Sequence, residues 1–335
     1  MTTTRSAAGK LKATLILLVA TALQAAENVS TFSVVGFDPA TREWGIAVAS
    51  KYFSVGSVVP WAEAEVGAIA TQANVNVGYG SRGLELLRQG LTAKQTLDRL
   101  LSEDKFEGKD GRQVAIIDSK GNIAAYTGPK APNWAGDRQG KTWSAQGNIL
   151  VGSQVPEAMG KAFEATGGEL AEKLFEALKA GDDAGGDSRG RQSASMLVVR
   201  EGGGRNTNNN RTVYINIDDH PFPIPELRHL LDLDLGYLYQ DKAFKYLSSG
   251  KIKDARDAAE KVTHYMPGRP EAHLTFGLLS YLADDKSAAL TALNRAAQRD
   301  PDFRKHFDTA THARPAYKPI LGDKEFLREL FPESR

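Results

Sequence analysis

Blocks of strand-like sequence alternate with pairs of helical segments over the first two thirds of the chain, and this order restricts the fold most. Residues 31–73 consist of small and β-branched apolar runs broken by turn residues, which predicts strands. Two helical segments follow, then more strands, a second helical pair and two last strands. Helices inserted as pairs between hairpins suit two antiparallel sheets packed together, each covered by a helical layer. A doubly wound parallel sheet would need single helices between single strands.

The predicted strands are TFSVVGFD, WGIAVASK, GSVVPWA, VGAIATQA, RQVAIID, IAAYTG, TWSAQGNILVG, SASMLVVR and TVYINID. The predicted helices in this part are SRGLELLRQG, TAKQTLDRLLSED, VPEAMGKAFEAT and ELAEKLFEALKAG. Thr92 and Gln95 have the spacing of a capping box, in which each side chain bonds a backbone N–H of the first turn. The second helix is therefore expected to begin at this point.

From about residue 236 the sequence predicts helices throughout. Two helix-turn-helix segments align there, and Pro267 and Pro301 recur with a 34-residue period that resembles tetratricopeptide repeats. The final segment, RPAYKPILGDKEFLREL, is expected to cap the repeats, because two repeats alone bury little. The predicted division is a signal peptide at 1–25, an α+β domain at 26–235 and a helical-repeat domain at 236–335.

The amino terminus has the layout of an export signal. Arg5, Lys10 and Lys12 precede the apolar run ATLILLVATALQA, which ends in small residues that fit cleavage after Ala22 or Ala25. We therefore expect an exported protein, periplasmic or secreted, without a stable membrane span once the signal is removed; an uncleaved anchor is the alternative. The chain contains no cysteine, which excludes disulfides and thiolate chemistry.

Composition narrows the chemistry further. With 42 basic and 41 acidic residues the net charge is close to zero, so no nucleic-acid partner is expected. Residues 1–219 contain no histidine, so neither a histidine relay nor a histidine-rich zinc site is supported there. Asp218, Asp219 and His220 are consecutive and lack a fourth ligand, and consecutive residues seldom point at one ion. We expect neither a metal nor another cofactor.

A hydroxyl nucleophile whose base is not histidine remains. A threonine at a chain terminus can use its own α-amine, which has a pKa near about 8, to take the hydroxyl proton. Thr31 opens the first predicted strand shortly after the signal, and Lys51 ends the second. Adjacent antiparallel strands would bring the Lys51 ammonium near Thr31, where it would steady a developing oxyanion. The alternatives are a β-favouring threonine and a solvated lysine. A free Thr31 amine requires a cut between Ser30 and Thr31, beyond either signal cleavage site.

Four motifs together resemble the domain of unknown function 1028 family over residues 31–235: the segment from TFSVVGFD to GLELL, QGNILVG, GGDSRGRQSASMLVV and DDHPFPIPELRHLLDL. The resemblance implies the fold of amino-terminal nucleophile (Ntn) hydrolases, a four-layer αββα sandwich. It places Thr31 at the family's opening threonine and Ser50 and Lys51 at the supporting position. The other polar residues of these motifs are expected to line the same cleft: Asn148 as an oxyanion or substrate donor, and Thr71, Gln72, Asn76, Asp187, Arg189, Gln192 and Ser193 as substrate-binding residues. The alternatives are a turn or bulge at QGN and a flexible loop with solvated charges at GDDAGGDSRGR. The resemblance implies no particular substrate.

Two functional hypotheses follow. The first is an exported Ntn-type hydrolase that cleaves an amide bond in a small or peptide-like substrate, with Thr31, Lys51 and Asn148 as catalytic residues. The second is a non-catalytic ligand-binding or protein-interaction module with a hydrolase-derived fold, because repeats of the predicted kind present a concave surface to peptides or proteins. A protein partner for the repeats and a homo-oligomer both stay open.

Overall fold

The computed structural model describes residues 31–206 and 208–332, so the predicted signal peptide and the Ser30 side of the proposed cut lie outside the described residues. The described strands are β1 Thr31–Asp38, β2 Glu43–Ser50, β3 Pro60–Glu63, β4 Gly67–Ala73, β5 Arg112–Asp118, β6 Ile123–Thr127, β7 Trp134–Gln139, β8 Trp143–Leu150, β9 Ser193–Val199 and β10 Arg211–Ile217. The described α-helices are α1 Gly78–Arg88, α2 Ala93–Glu103, α3 Gln154–Ala165, α4 Leu170–Asp183, α5 Pro223–Ser248, α6 Ile252–Tyr265, α7 Pro270–Leu282, α8 Lys286–Ala297, α9 Phe303–Ala313, α10 Lys318–Gly322 and α11 Lys324–Leu330.

The strands form two antiparallel sheets. The first has the order β10-β9-β2-β1-β8-β7 and the second the order β3-β4-β5-β6. An all-helical region follows β10. The prediction of a mixed α+β protein with two antiparallel sheets and a helical carboxyl-terminal part is therefore confirmed.

The alternation of side chains along β1 explains how the sheets pack. Val35 and Phe37 belong to a core between the two sheets, whereas Phe32 and Val34 belong to a core shared with helices α3 and α4. Successive strand residues point to opposite faces, so the strand is buried on both sides. Helices α1 and α2 cover the outer face of the second sheet through a third core that includes Ile69 and Leu97. One face of each sheet thus meets the other sheet, and the opposite face meets helices.

Two local expectations need correction. The run GSVVPWA was predicted to be one strand, but a 3₁₀ turn occupies Val55–Ser57 and β3 begins only at Pro60. Ser54 has a left-handed backbone, φ 54°, and the N–H groups of Val58 and Val59 bond back to the Val55 carbonyl, so the chain turns before it extends. Strand β7 was not predicted, because Gly136 and several polar residues hide the alternation in an edge strand. The predicted capping box at Thr92 and Gln95 is confirmed.

Helix α5 joins the sheets to the helical region. It packs on β9 and β10 and also against α6, and it runs from Pro223 to Ser248 without a break. One continuous core extends from Phe32 through α5 to Leu330. The division into domains at 235/236 stays a prediction. Over the described ranges, none of the helices combines the length and apolar character that crossing a membrane requires.

Leu231 tests the role of α5. It is fully buried near the middle of the helix, so we expect Leu231→Ala to lower the free energy of unfolding by about 2–5 kcal/mol. Urea titration would be followed by tryptophan fluorescence, which reports the sheet region, and by far-UV circular dichroism, which reports mainly the helices. Both midpoints should fall together. The exposed His229→Ala on the same helix is the control and should change stability by less than about 0.5 kcal/mol. A loss below about 1 kcal/mol in the Leu231 variant would contradict the prediction.

Candidate active site

Four polar side chains lie side by side on the four middle strands of the first sheet, at one end of these strands. The strand register sets Asn148 of β8 beside Thr31 of β1, Thr31 beside Ser50 of β2, and Ser50 beside Ser193 of β9. We call these four residues the polar row and this end of both sheets the Thr31 end. All four are at most 2% exposed. Thr31 lies on the same face of β1 as Val35, so the row faces the second sheet.

Thr31 is held at both its hydroxyl and its carbonyl. Its Oγ1 lies 3.1 Å from the Ser50 hydroxyl oxygen, within hydrogen-bond distance. Its backbone carbonyl lies 3.3 Å from Nε2 of Gln72, on the second sheet, and 3.4 Å from Nδ2 of Asn148, and both amides donate to it. The structure therefore brings together three of the residues that the sequence predicted for the site, Thr31, Gln72 and Asn148.

Gln113 of β5, which the sequence did not predict for the site, connects the side-chain amides of Gln72 and Asn148. Its Oε1 accepts from Nε2 of Gln72 at 2.8 Å and from Nδ2 of Asn148 at 3.1 Å. Its Nε2 donates to the Gly147 carbonyl at 2.9 Å and to the Thr127 hydroxyl at 2.9 Å. Gln113 is fully buried, and buried amides need all of these partners. The signal was present in RQVAIID, where Gln113 occupies the alternating face that otherwise carries small and apolar residues.

A second polar layer lies one step deeper between the sheets. The Ser33 hydroxyl donates to Oε1 of Gln72 at 2.7 Å and accepts from Nε2 of Gln146 at 2.6 Å. Oε1 of Gln146 in turn accepts from the Ser144 hydroxyl at 3.0 Å. The hydrogen bonds therefore run continuously from β8 through β1 to β4, and a connected buried network of this kind fixes one arrangement of side chains.

Thr71 and Asn76 lie away from this network. Thr71 shares its face of β4 with Ile69, which packs on the outer helices, whereas its neighbour Gln72 faces the first sheet. The Thr71 hydroxyl donates to the Asn76 carbonyl at 3.3 Å. Oδ1 of Asn76 accepts from the N–H of Gly78, the first residue of α1, at 3.1 Å. Both residues thus organise the turn between β4 and α1.

Lys51, Asp187 and Arg189 form a neighbouring cluster. The Asp187 carboxylate has a side chain only 1% exposed and accepts from the backbone N–H of Lys51 and of Arg189, each at 2.8 Å. The Arg189 guanidinium donates to the same carboxylate at 3.2 Å and to the Lys51 carbonyl at 3.1 Å. The Lys51 ammonium is exposed and donates to the Arg191 carbonyl at 3.3 Å. The cluster fixes the loop after Ser50 against the loop before β9.

Gln192 and Ser193 continue this loop. The backbone N–H of Gln192 donates to the Ser50 carbonyl at 3.1 Å, and its side chain donates to Asp219 at 3.2 Å. The Ser193 hydroxyl accepts from the N–H of Val55 at 3.3 Å and donates to the Tyr52 carbonyl. Ser193 therefore belongs to the polar row, whereas the Gln192 side chain reaches outward to the segment after β10. No group of three or more histidine, cysteine or acidic side chains suited to a metal ion occurs in residues 31–206 or 208–332.

On the second sheet, a buried ion pair holds the loops at the Thr31 end. The Asp104 carboxylate accepts from Nε of Arg112 at 3.0 Å and from the Tyr79 hydroxyl at 2.7 Å. Both partners of the ion pair are less than 10% exposed at the side chain. Burial alone would raise the pKa of Asp104, but the N–H of Phe106, the Tyr79 hydroxyl and the Arg112 guanidinium together lower this pKa to about 2. Burial, and then the bond to Asp104, raise the pKa of Tyr79.

Fold and site together define an α+β protein in which a network of buried, hydrogen-bonded polar side chains lies between the two facing sheets, at one end of the strands. The chain belongs to the family of unknown function DUF1028, whose model matches residues 31–227. The resemblance drawn from the four motifs is thereby confirmed at the level of the family. Among solved structures, the chain is similar to protein SPO2555 from Silicibacter pomeroyi, a DUF1028 protein, with 32% identity and a TM-score of 0.55. The match covers 60% of this chain and 84% of that one. No curated protein matches the chain.

Gln113→Leu tests the network. The substitution removes the acceptor shared by Gln72 and Asn148 and the donor to Gly147, and buried polar groups that lose a partner cost about 1–3 kcal/mol each. We expect the free energy of unfolding to fall by about 3 kcal/mol in urea titrations. Gln139→Leu, which removes an exposed amide from edge strand β7, is the control and should stay within about 0.5 kcal/mol of wild type. Equal stability of the two variants would refute the assigned role of Gln113.

The low pKa of Asp104 predicts a pH dependence. A carboxylate has a pKa near about 3.9 in the unfolded chain and this one has a pKa of about 2 in the folded protein. The ion pair therefore stabilises fully above about pH 5, and this contribution is lost as the pH falls towards 2. We expect Asp104→Asn to cost about 3 kcal/mol at pH 7 and less at pH 2. Urea titrations across this range measure the difference, with the exposed Asp98→Asn as control. A cost that does not change with pH would contradict the assignment.

Proposed function

We propose that the protein is an exported amide hydrolase of the amino-terminal nucleophile type, with Thr31 as nucleophile and with its two sheets and outer helices forming an Ntn-type αββα sandwich. The observation that carries the proposal is the position of Thr31. It begins the central strand β1, and the register sets it between Ser50 and Asn148 on the two neighbouring strands. A hydroxyl at this point is surrounded by polar side chains from both sheets. No histidine precedes His220, and the chain has no cysteine.

The proposed reaction uses groups of Thr31 itself. After a cut between Ser30 and Thr31, the free α-amine takes the hydroxyl proton as Oγ1 bonds to the substrate carbonyl carbon. The carbon–nitrogen bond then breaks, and the proton passes to the departing amine. Water next attacks the resulting ester, which releases the carboxylic acid and restores the threonine hydroxyl. The net reaction consumes one amide and one water and yields one acid and one amine.

The surrounding residues have distinct roles in this proposal. Ser50 orients the Thr31 hydroxyl, because the two oxygens are within hydrogen-bond distance. Gln72 and Asn148 fix the Thr31 backbone, and fixed geometry of a nucleophile lowers the cost of reaching the transition state. Lys51 supplies positive charge beside the row, since it follows Ser50 directly. Its ammonium bonds the Arg191 carbonyl in this structure, so stabilising an oxyanion would require another rotamer.

A non-catalytic interaction module is the second candidate. The helical region, which we propose to be of the tetratricopeptide type, carries a cavity of about 370 Å³ lined by residues of α7 and α8 that include His273, Phe276 and Arg295. Hydroxyl groups and an arginine in such a cavity suit a peptide-like ligand. In this case substitution of Thr31 would leave ligand and partner binding unchanged.

Thr31→Ala separates the two candidates. A β-lactone probe acylates activated hydroxyl nucleophiles, and peptide mass mapping locates the adduct. We expect an adduct on Thr31 in wild type and on residue 31 in Thr31→Ser, none in Thr31→Ala, and a loss of about 10⁴-fold or more in kcat/KM on N-acyl 4-nitroanilides for Thr31→Ala. Thr309→Ala, which removes an exposed hydroxyl on α9, should react as wild type does.

Amino-terminal sequencing of the protein from the periplasm should begin at Thr31. A chain that starts at Leu23 or Ala26 and keeps full activity would exclude the terminal-amine mechanism.

A further inference from the structure

The exposed large apolar side chains are concentrated at the Thr31 end. Six such residues occur in the described parts of the chain, and their exposed fractions range from 40% to 63%. Five lie in loops at this end, one on each of five chain segments, and we call them the apolar rim: Phe53, Val77, Phe106, Val151 and Phe222. The sixth, Tyr214, lies within edge strand β10. Scattered exposed apolar residues need no explanation, but their concentration at one end does.

Three members of the rim, Phe53, Val151 and Phe222, lie on loops of the first sheet, and the first two follow its polar row closely in sequence. Phe53 comes three residues after Ser50, and Val151 three residues after Asn148. The loops that carry them are joined through Asp187. Its backbone forms a β-bridge with Leu150, and its carboxylate accepts from the N–H of Lys51 at 2.8 Å.

The Phe222 loop is joined to the same surface. The N–H of Ser54 donates to the Asp218 carbonyl at 2.9 Å, and the N–H of His220 donates to the Gln192 carbonyl at 2.8 Å. Backbone hydrogen bonds therefore hold Phe53 and Phe222 on one connected set of loops.

The other two members belong to the second sheet, and Arg112 holds their loops. Its guanidinium lies 4.8 Å from the ring centre of Phe106 and donates to the carbonyl of Val75, two residues before Val77, at 3.2 Å. The next residue along β5, Gln113, reaches across to Asn148 of the polar row. The rim therefore flanks the polar row from both sheets on loops fixed by the buried Asp187 and Asp104 carboxylates.

We propose, on the basis of the proposed function, that the substrate carries an extended apolar acyl group that lies against the apolar rim while its carbonyl reaches Thr31. Phe53 and Val151 each lie three residues beyond a member of the polar row, which favours a ligand of that site over a separate partner. Phenylalanine side chains held exposed on fixed loops lose little freedom when a ligand covers them, so their burial favours binding. The substrate class is thus an N-acyl amide with a medium-length hydrocarbon chain.

The test compares kcat/KM on N-acyl 4-nitroanilides with acetyl, butanoyl, hexanoyl and octanoyl groups. For wild type we expect a rise of about twofold to fourfold for each added CH₂. In Phe53→Ser/Val151→Ser the octanoyl-to-acetyl ratio should fall at least about tenfold, whereas Tyr214→Ser, the matched loss of an exposed apolar side chain away from the rim, should keep the wild-type ratio. Both changes are at exposed positions, and near-UV circular dichroism checks the fold.

The outcomes separate this proposal from the proposed function. Turnover that does not depend on the length of the acyl chain, or an unchanged octanoyl-to-acetyl ratio in Phe53→Ser/Val151→Ser, overturns the proposed role of the rim and leaves Thr31 as nucleophile. Absence of turnover together with absence of a β-lactone adduct on Thr31 overturns both. A double variant that keeps the ratio but changes its sedimentation identifies the rim as a contact between copies of the chain and also overturns the proposal.

Discussion

The side-chain amide of Gln113 is the interaction on which the Thr31 end depends. It accepts from Gln72 and Asn148, and both of these donate to the carbonyl of Thr31. At the opposite end of the sheets the same interface is apolar. A sheet whose interface is apolar throughout tolerates small shifts, whereas a buried amide network is satisfied in one register only. The network therefore fixes how β1 lies against β4 and β5, and with it the direction of the Thr31 side chain.

The sequence predicted the order of strands and helix pairs because alternation and helical spacing are local properties. It also predicted Thr31, Gln72 and Asn148 as neighbours, since they belong to motifs of one family. It could not separate Thr71 from Gln72, because adjacent strand residues face opposite sides and only the pairing of sheets shows which side is inner. Gln113 was missed for a related reason: a lone polar residue in an apolar strand shows its role only when its partners on β4 and β8 are known. The direction of the Lys51 side chain could not be predicted either, because its ammonium bonds the carbonyl of Arg191, which only the folded structure brings beside it.

The helical region is integrated with the sheets rather than appended to them. Helix α5 has a buried face towards β9 and β10 and a second contact with α6, so it serves both parts at once. Charged residues reinforce the junction: the Arg228 guanidinium on α5 binds Glu172 on α4 at 2.7 Å and lies 4.7 Å from the ring centre of Phe175. A substitution that moves this helix would therefore disturb the packing of both parts.

The polar row can form only late in the folding of the first sheet. Its four members come from positions 31, 50, 148 and 193, so the row is complete only after most of the sheet region has been synthesised and has paired. Contacts of such wide sequence separation form late, because the intervening chain must first lose its freedom. An incompletely folded chain would hold Thr31 without Asn148 or Ser193 beside it. The surroundings of Thr31 are therefore complete only when β9, the last of the four strands along the chain, has paired with β2.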